Sequence, residues 1–228
     1  MTNIVDLLEE FDRDGAVAET ADAARTHSRG AFLKRAGIGA GAVIGGGAFM
    51  GALPSIAGAA GVPASDIAIL NFALTLEYLE AAFYAEAVAS KALTHKDTVR
   101  FASVVANHEN SHVLALRSAL GSKAVAKPKF DFKGTTSDQA KFQATADVLE
   151  NTGVHAYLGQ AALIKSKPVL AAAASILPVE ARHAAWIRDI RFQGGMSSAD
   201  TPAPSAFEDG LSKAKILAAV KATGFIVG

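Results

Sequence analysis

Four apolar helical stripes in this 228-residue chain are broken by carboxylates, and two of them also by a histidine. Leu70, Leu74, Glu77, Ala81, Tyr84 and Val88 recur at alternating steps of four and three. Phe101, Val105, Glu109, His112, Leu116 and Ala119 do the same. A third stripe reads Gln143, Ala146, Glu150, Val154, Tyr157, Ala161 and Ile164, and a fourth Val169, Ala173, Ile176, Glu180, His183, Ile187 and Ile190. Such steps trace the buried face of a helix. A carboxylate on that face must leave water, which is costly unless it is paired or bound to a cation. Four glutamates and two histidines placed this way predict a dinuclear metal site.

The spacing sharpens this expectation. Glu109-Asn110-Ser111-His112 and Glu180-Ala181-Arg182-His183 are both Glu-x-x-His. Three residues turn a helix by about 300°, so both side chains project to one side and can share a metal. Chance alone supplies fewer than one such pair in a chain of this composition. Glu77 is followed by Tyr84, and Glu150 by Tyr157, each two turns on along one face. The chain thus reads as two related helix pairs, each offering one Glu from its first helix and Glu-x-x-His from its second. That is the ligand set of di-iron and di-manganese carboxylate bundles. There is no cysteine, so any metal is held by oxygen and nitrogen donors. Two divalent cations would cancel the four carboxylates, and the donor types suit iron or manganese, with zinc also admitted. Tyr84 and Tyr157 are expected to hydrogen-bond a ligand or pack in the core. Glu80, three residues after Glu77, could serve as an acid beside the ligands but reads first as a solvated flank, and His108 and His155 read as ordinary side chains. Trp186 reads as core packing, and Arg182, Arg188 and Arg191 as a solvated face.

Four helices must position these groups. Ser65-Asp66 can cap a first helix running to about Ser90, and Asp97 a second that ends at Gly121. Ser122 to Ser137 form a long, polar connection. Ser137-Asp138 caps a third helix to about Lys165, and Pro168 suits the first turn of a fourth, ending near Gly194-Gly195. Pro178 should kink that last helix. Short, long and short connections match a ferritin-like all-α four-helix bundle with one long crossover between helices 2 and 3. The bundle is expected over residues 64–195. A tail, 196–228, carries a short amphipathic helix (Leu211, Ile216, Leu217, Val220) that would cover the bundle.

The N-terminal part has a different composition. Residues 1–28 form a leader with seven acidic side chains against Arg13 and Arg25. Residues 29–60 resemble a signal: Arg29, Lys34 and Arg35 precede a charge-free, Gly- and Ala-rich stretch, and Ala57-Gly58-Ala59 offers a small-residue cleavage site. Ser28-Arg29-Gly30-Ala31-Phe32-Leu33-Lys34 is similar to the twin-arginine export motif, with Gly30 where the second Arg would stand. Export to the periplasm or cell surface is the expectation. The alternative is an uncleaved anchor, with membrane association through residues 36–60. From residue 60 onward there are seventeen Lys or Arg and fifteen Asp or Glu. This near-neutral balance gives no reason to expect a nucleic-acid partner and suits a small substrate.

Three phrases carry a family resemblance: Leu70-Asn71-Phe72-Ala73-Leu74-Thr75-Leu76-Glu77-Tyr78-Leu79-Glu80-Ala81-Ala82-Phe83-Tyr84, Gly153-Val154-His155-Ala156-Tyr157-Leu158-Gly159, and Glu180-Ala181-Arg182-His183-Ala184-Ala185-Trp186. Residues 64–193 resemble the ferritin-like superfamily, in particular the bacterial exported ferritin-like family related to plant desiccation-related proteins. The resemblance implies Glu77, Glu109, His112, Glu150, Glu180 and His183 as ligands. The leading expectation is a di-iron, ferroxidase-like oxidoreductase acting with O2 or H2O2, in which Glu77 and Glu150 bridge or cap the metals. A di-manganese, catalase-like enzyme and a non-enzymatic stress-protective or structural bundle are the alternatives. Oligomeric state has no signature in the sequence.

Overall fold

The computed structural model describes residues 61–193 and 197–227. The acidic leader, the signal-like segment and Gly194-Gly195 lie outside the described residues. Helix α1 spans Ala64–Ser90, α2 Lys96–Leu120, α3 Gln139–Ala161, α4 Lys167–Phe192 and α5 Lys213–Thr223. Among the described residues there is no strand, only an isolated antiparallel bridge between Phe130 and Ile226. The turns between α1 and α2 and between α3 and α4 are short, so each pair lies antiparallel and packs along its length. The two pairs meet through α1 against α3 and α2 against α4. Residues 121–138 make the long crossover between them, giving the ferritin-like bundle expected from the sequence.

The apolar stripes are the buried faces. Leu70, Leu74, Phe101, Val105, Ala146, Val154, Val169, Ile176 and Ile187 are buried, as are the glutamates between them. Val88 departs from its stripe and is exposed, because it lies in the last turn of α1. Phe83, Tyr84, Phe101 and Phe142 stack against one another at one end of the core, with ring centroids 5.2–5.9 Å apart. At least some of this packing exceeds plain area burial, because edge-to-face pairs gain from their quadrupoles.

Helix starts depart from the expected caps. Pro63, not Ser65 or Asp66, is the N-cap of α1, and its fixed φ of −54° suits the entry. Asp66 is instead fully buried and accepts the backbone N–H of Lys165 (3.1 Å) and Ser166 (2.7 Å). It therefore ties the start of α1 to the α3–α4 turn. Burial pushes its carboxyl up, but those N–H donors outweigh it and hold the group below its ordinary value. His95, not Asp97, is the N-cap of α2. Gln139 Oε1 takes the N–H groups of Thr94 and His95 just ahead of it. The cap of α3 is as expected: Asp138 Oδ1 accepts the N–H of Lys141 at 2.8 Å. Helix α3 ends at Ala161, earlier than expected, and α4 runs without interruption through Pro178 to Phe192.

The crossover is less polar than its composition suggests. Phe132 is buried, edge-on to Phe83 and Phe225 at 5.4 Å each. Backbone bonds from Asp131 N–H to Phe225 and from Val227 N–H to Lys129 join the crossover to the tail. Ile216 and Val220 of α5 enter the same core, whereas Leu217 stays 42 % exposed. The tail crosses α3 at Gly159, where an added Cβ would meet the Leu211 carbonyl oxygen at 2.0 Å. Only a glycine admits that crossing, which Leu211 N–H secures by donating to His155 O.

Candidate metal centre

Each helix delivers its ligand candidates to the middle of the bundle. Glu77, Glu109, Glu150 and Glu180 have no solvent exposure, and His183 has 2 %. The six side chains singled out from the sequence converge there in two overlapping groups. One group is Glu77, Glu109, His112 and Glu180; the other is Glu109, Glu150, Glu180 and His183. Within each group the donor atoms lie within 4.8 Å of one another, close enough to hold one cation.

The distances around the imidazoles decide what this cluster can do. His112 Nδ1 stands 3.2 Å from Glu77 Oε2, 3.2 Å from Glu109 Oε2 and 3.1 Å from Glu180 Oε1. His183 Nδ1 stands 3.1 Å from Glu109 Oε1, 3.1 Å from Glu150 Oε2 and 3.9 Å from Glu180 Oε2. An imidazole nitrogen carries at most one proton, which can point at only one oxygen. At most one of the carboxylates around each nitrogen can therefore receive its proton, and the others are left without a donor there. Donors that share a cation at about 2.0–2.2 Å stand roughly 3 Å apart when they bind at right angles. The observed spacings fit that geometry. Glu109 turns one oxygen to each imidazole, and so does Glu180. Glu77 and Glu150 each belong to one group, which suits the capping alternative of the bridge-or-cap expectation, and the two Glu-x-x-His glutamates belong to both.

The tyrosines act across the pseudo-repeat. Tyr157 on α3 donates to Glu77 Oε1 on α1 at 2.5 Å, and Tyr84 on α1 donates to Glu150 Oε1 on α3. Each phenol serves the glutamate of the opposite pair, not the one two turns away on its own helix. Burial, then the neighbouring carboxylate, pushes both phenols well above their ordinary value, so they remain donors. Each ties up one glutamate oxygen and leaves the other facing an imidazole.

Electrostatics show how unbalanced the protein groups are by themselves. Burial raises Glu77 to about 7, with His112 opposing part of the effect. Glu180 is raised well above its ordinary value by burial and then by Glu109. Glu109 is the exception: burial pushes it up, but His112 and His183 outweigh that and hold it well below. Burial opposes charge on the histidines, yet the surrounding carboxylates prevail and raise both, His183 to about 10. Even so, Glu109 Oε1 and both Glu180 oxygens are buried without a hydrogen bond among the described residues. Orphaned carboxylate oxygens at the shared positions are where cations would supply the missing charge.

The ferritin-like domain family matches residues 65–193, more than half of the chain. The chain belongs to that family. No curated protein matches it. The ferritin-like domain so defined contains all six convergent residues, and with their burial and chemistry they form a cluster able to bind metal.

Three features of this domain escaped the sequence reading. Glu80 is not a solvated flank but 3 % exposed, raised well above its ordinary value by burial and then by Glu180. Its place on the face was legible one helical turn after Glu77, but the glycine that makes room for it lies on another helix. His108 is not ordinary: its Nδ1 meets His183 Nε2 at 2.8 Å, with the rings stacked 5.1 Å apart. Asp147 is buried and pairs with Arg191 and, at 3.6 Å, Arg188, so these arginines link α4 to α3. Trp186 packs edge-on to Phe101, as expected, but stays partly exposed beneath Arg100.

Proposed function

We propose that this protein is a dinuclear metal oxidoreductase that oxidises Fe(II) with O2 or H2O2. Support comes chiefly from one observation: each of two imidazole Nδ1 atoms is ringed by carboxylates at the spacing of donors sharing one cation. Glu77 and His112 would hold one metal, Glu150 and His183 the other, with Glu109 and Glu180 shared. When bound, a metal pair of this kind supplies two one-electron steps to an oxidant. The chain's own residues orient the donors and exclude water. Tyr84 and Tyr157 fix Glu150 and Glu77 by donating to their outer oxygens. His108 acts on His183: with Nδ1 turned to a cation, His183 carries its proton on Nε2 and donates to His108 Nδ1. Such outer partners fix the tautomer and orientation of a ligating ring. Burial, then the neighbouring His183, lowers His108, which keeps it neutral and able to accept.

Metal analysis of the purified protein, with Fe(II) oxidation followed beside it, tests this reading. Two iron ions per chain and oxidant-dependent Fe(III) formation are expected. Two manganese ions with peroxide dismutation would support the di-manganese alternative on the same donors. No bound metal would leave the protective-bundle alternative.

The export reading is proposed on the sequence of residues 29–60 alone, with kinship to exported, desiccation-related members resting on the quoted phrases. N-terminal sequencing from the native cell should find a start near Ala60 outside the cytoplasm. A start at Met1 or Thr2 in the soluble cytoplasmic fraction would overturn it, and the same start in membranes would favour an anchor.

A further inference from the structure

The two phenols that brace the centre sit in unlike surroundings. Tyr84 is enclosed by aromatic rings: Phe83, Phe101 and Phe142 have their centroids 5.2–5.9 Å from its own, and it has no solvent exposure. Tyr157, its counterpart on α3, borders a cavity on the seam between α1 and α3. Small side chains leave this space open: Ala73 on α1, Ala156 on α3 and Ala173 on α4 line it. At about 20 Å³ it has room for one small molecule. Its wall grades from the half-buried Ile69 and Ile164 to the buried Leu76 and Leu116. Apart from Tyr157 and Gln160 every lining side chain is apolar, and the Tyr157 hydroxyl is engaged with Glu77 Oε1. The same side chain thus meets the cavity with its ring and Glu77 with its hydroxyl. A void costs its lining the contacts that a filled core would make. Water gains little by entering, because it needs several polar partners. Peroxide and hydrated Fe(II) face the same deficit. An apolar diatomic molecule does not, and gains by leaving water.

We propose that this cavity is a dioxygen-binding site and the inlet by which dioxygen reaches the Glu77 side of the centre, with the ring of Tyr157 at its inner end. The inference rests on the dinuclear reading above and deepens it, because this route admits dioxygen and turns peroxide away.

Methyl NMR of the metal-free protein under dioxygen pressure tests the site directly, since dissolved dioxygen is paramagnetic and speeds the relaxation of nuclei it touches. Methyls of Leu70, Leu76 and Leu116 should relax several-fold faster under dioxygen than under nitrogen. Those of Ile187 and Ile216, equally buried but off the cavity, should change little. Ala73→Leu, which fills the space, should abolish the gain. Loaded with Fe(II), the same variant should keep its metal content and lose several-fold more of its oxidation rate with dioxygen than with H2O2. Ala173→Val fills the space from α4 and decides the question if Ala73→Leu does not fold. Gains no larger at the lining than at Ile187 would overturn the site and leave the dinuclear centre standing. A gain that the variant loses, with both oxidants slowed equally or neither slowed, would overturn the inlet. Absence of bound metal in the unaltered chain would overturn the dinuclear reading and the inlet with it, whatever the cavity binds.

Discussion

The α1–α2 pair and the α3–α4 pair carry the same four-part pattern, Glu and Tyr on the first helix, Glu-x-x-His on the second, yet their surroundings differ. In the first pair His112 keeps 11 % of its side chain exposed; in the second His183 keeps 3 % and rests on His108. Glu80 in the first is matched by Gly153 in the second, and His108 by Val179. The repeated residues place donors, whereas the unmatched ones make the surroundings of the two halves unequal. Both unmatched groups of the first pair reach across the repeat: Glu80 lies beside Gly153, and His108 meets His183.

The largest expected effect separates shared from unshared glutamates. Glu109→Ala or Glu180→Ala should abolish binding of both metals, because each removal takes a donor from both groups. Glu77→Ala and Glu150→Ala should each leave about one metal per chain, since only one group loses a donor. Metal-to-protein ratios by elemental analysis check this. Equal loss in all four variants would break the distinction between halves.

Next in size is the response of stability to metal and pH. In metal-free protein the fold favours the protonated form of Glu77, whose carboxyl rises from 4.5 to about 7. A raised folded value contributes stability that is complete below the unfolded value and is lost as pH rises through the folded one. His183, raised from 6.5 to about 10, extends the same loss upward. Metal-free protein should therefore melt progressively lower between about pH 5 and 9. Metal binding needs the deprotonated donors, so its stabilising shift should grow over the same range. Thermal melts with and without chelator, at several pH values, check both trends. A chelated protein that melts higher at pH 8 than at pH 5 would contradict the buried-charge account.

Tyr157→Phe and Tyr84→Phe should each cost about 1.5–3 kcal/mol of stability, the range for a hydrogen bond to a charged group. If the crossed pairing is correct, Tyr157→Phe should weaken the metal beside Glu77, on the other pair, and Tyr84→Phe the metal beside Glu150. Asp66→Asn should cost about 1–3 kcal/mol, because backbone donors of Lys165 and Ser166 would lose their acceptor charge. Metal stoichiometry should stay at two in that variant, since Asp66 ties the pairs together away from the centre. Denaturant unfolding and metal titration read the two properties separately.

How much of this was legible in the sequence follows from the range of each interaction. Periodicity along one helix marked the buried faces, and so the convergence of Glu77, Glu109, His112, Glu150, Glu180 and His183. Partners on other helices were not legible. Asp66 looks like a cap because capping is local, but its acceptors are used by a turn ninety-nine residues away. Glu80 sits on the flank of its own stripe, and only the opposed Gly153 turns that flank into interior. His108 projects about 100° away from Glu109 on α2, which hid its contact with His183 on α4. The polar crossover disguised Phe132 for the same reason: its burial depends on Phe225, at the far end of the chain.

The smallest expected effect falls on His108. It lies outside the ligand set and is exposed, so its removal should neither empty the centre nor unfold the chain. Loss of a partner to a ligating ring typically weakens metal binding by 10–100-fold, and exposure puts this case near the lower end, about tenfold. His108→Ala should therefore weaken one step of a metal titration and spare the other, because only His183 loses its support. His108→Gln supplies an alternative acceptor and should restore much of the affinity. Equal weakening of both steps would mean that His108 supports the bundle as a whole. Selective weakening of the step also altered by Glu150→Ala would place its action on the His183 half.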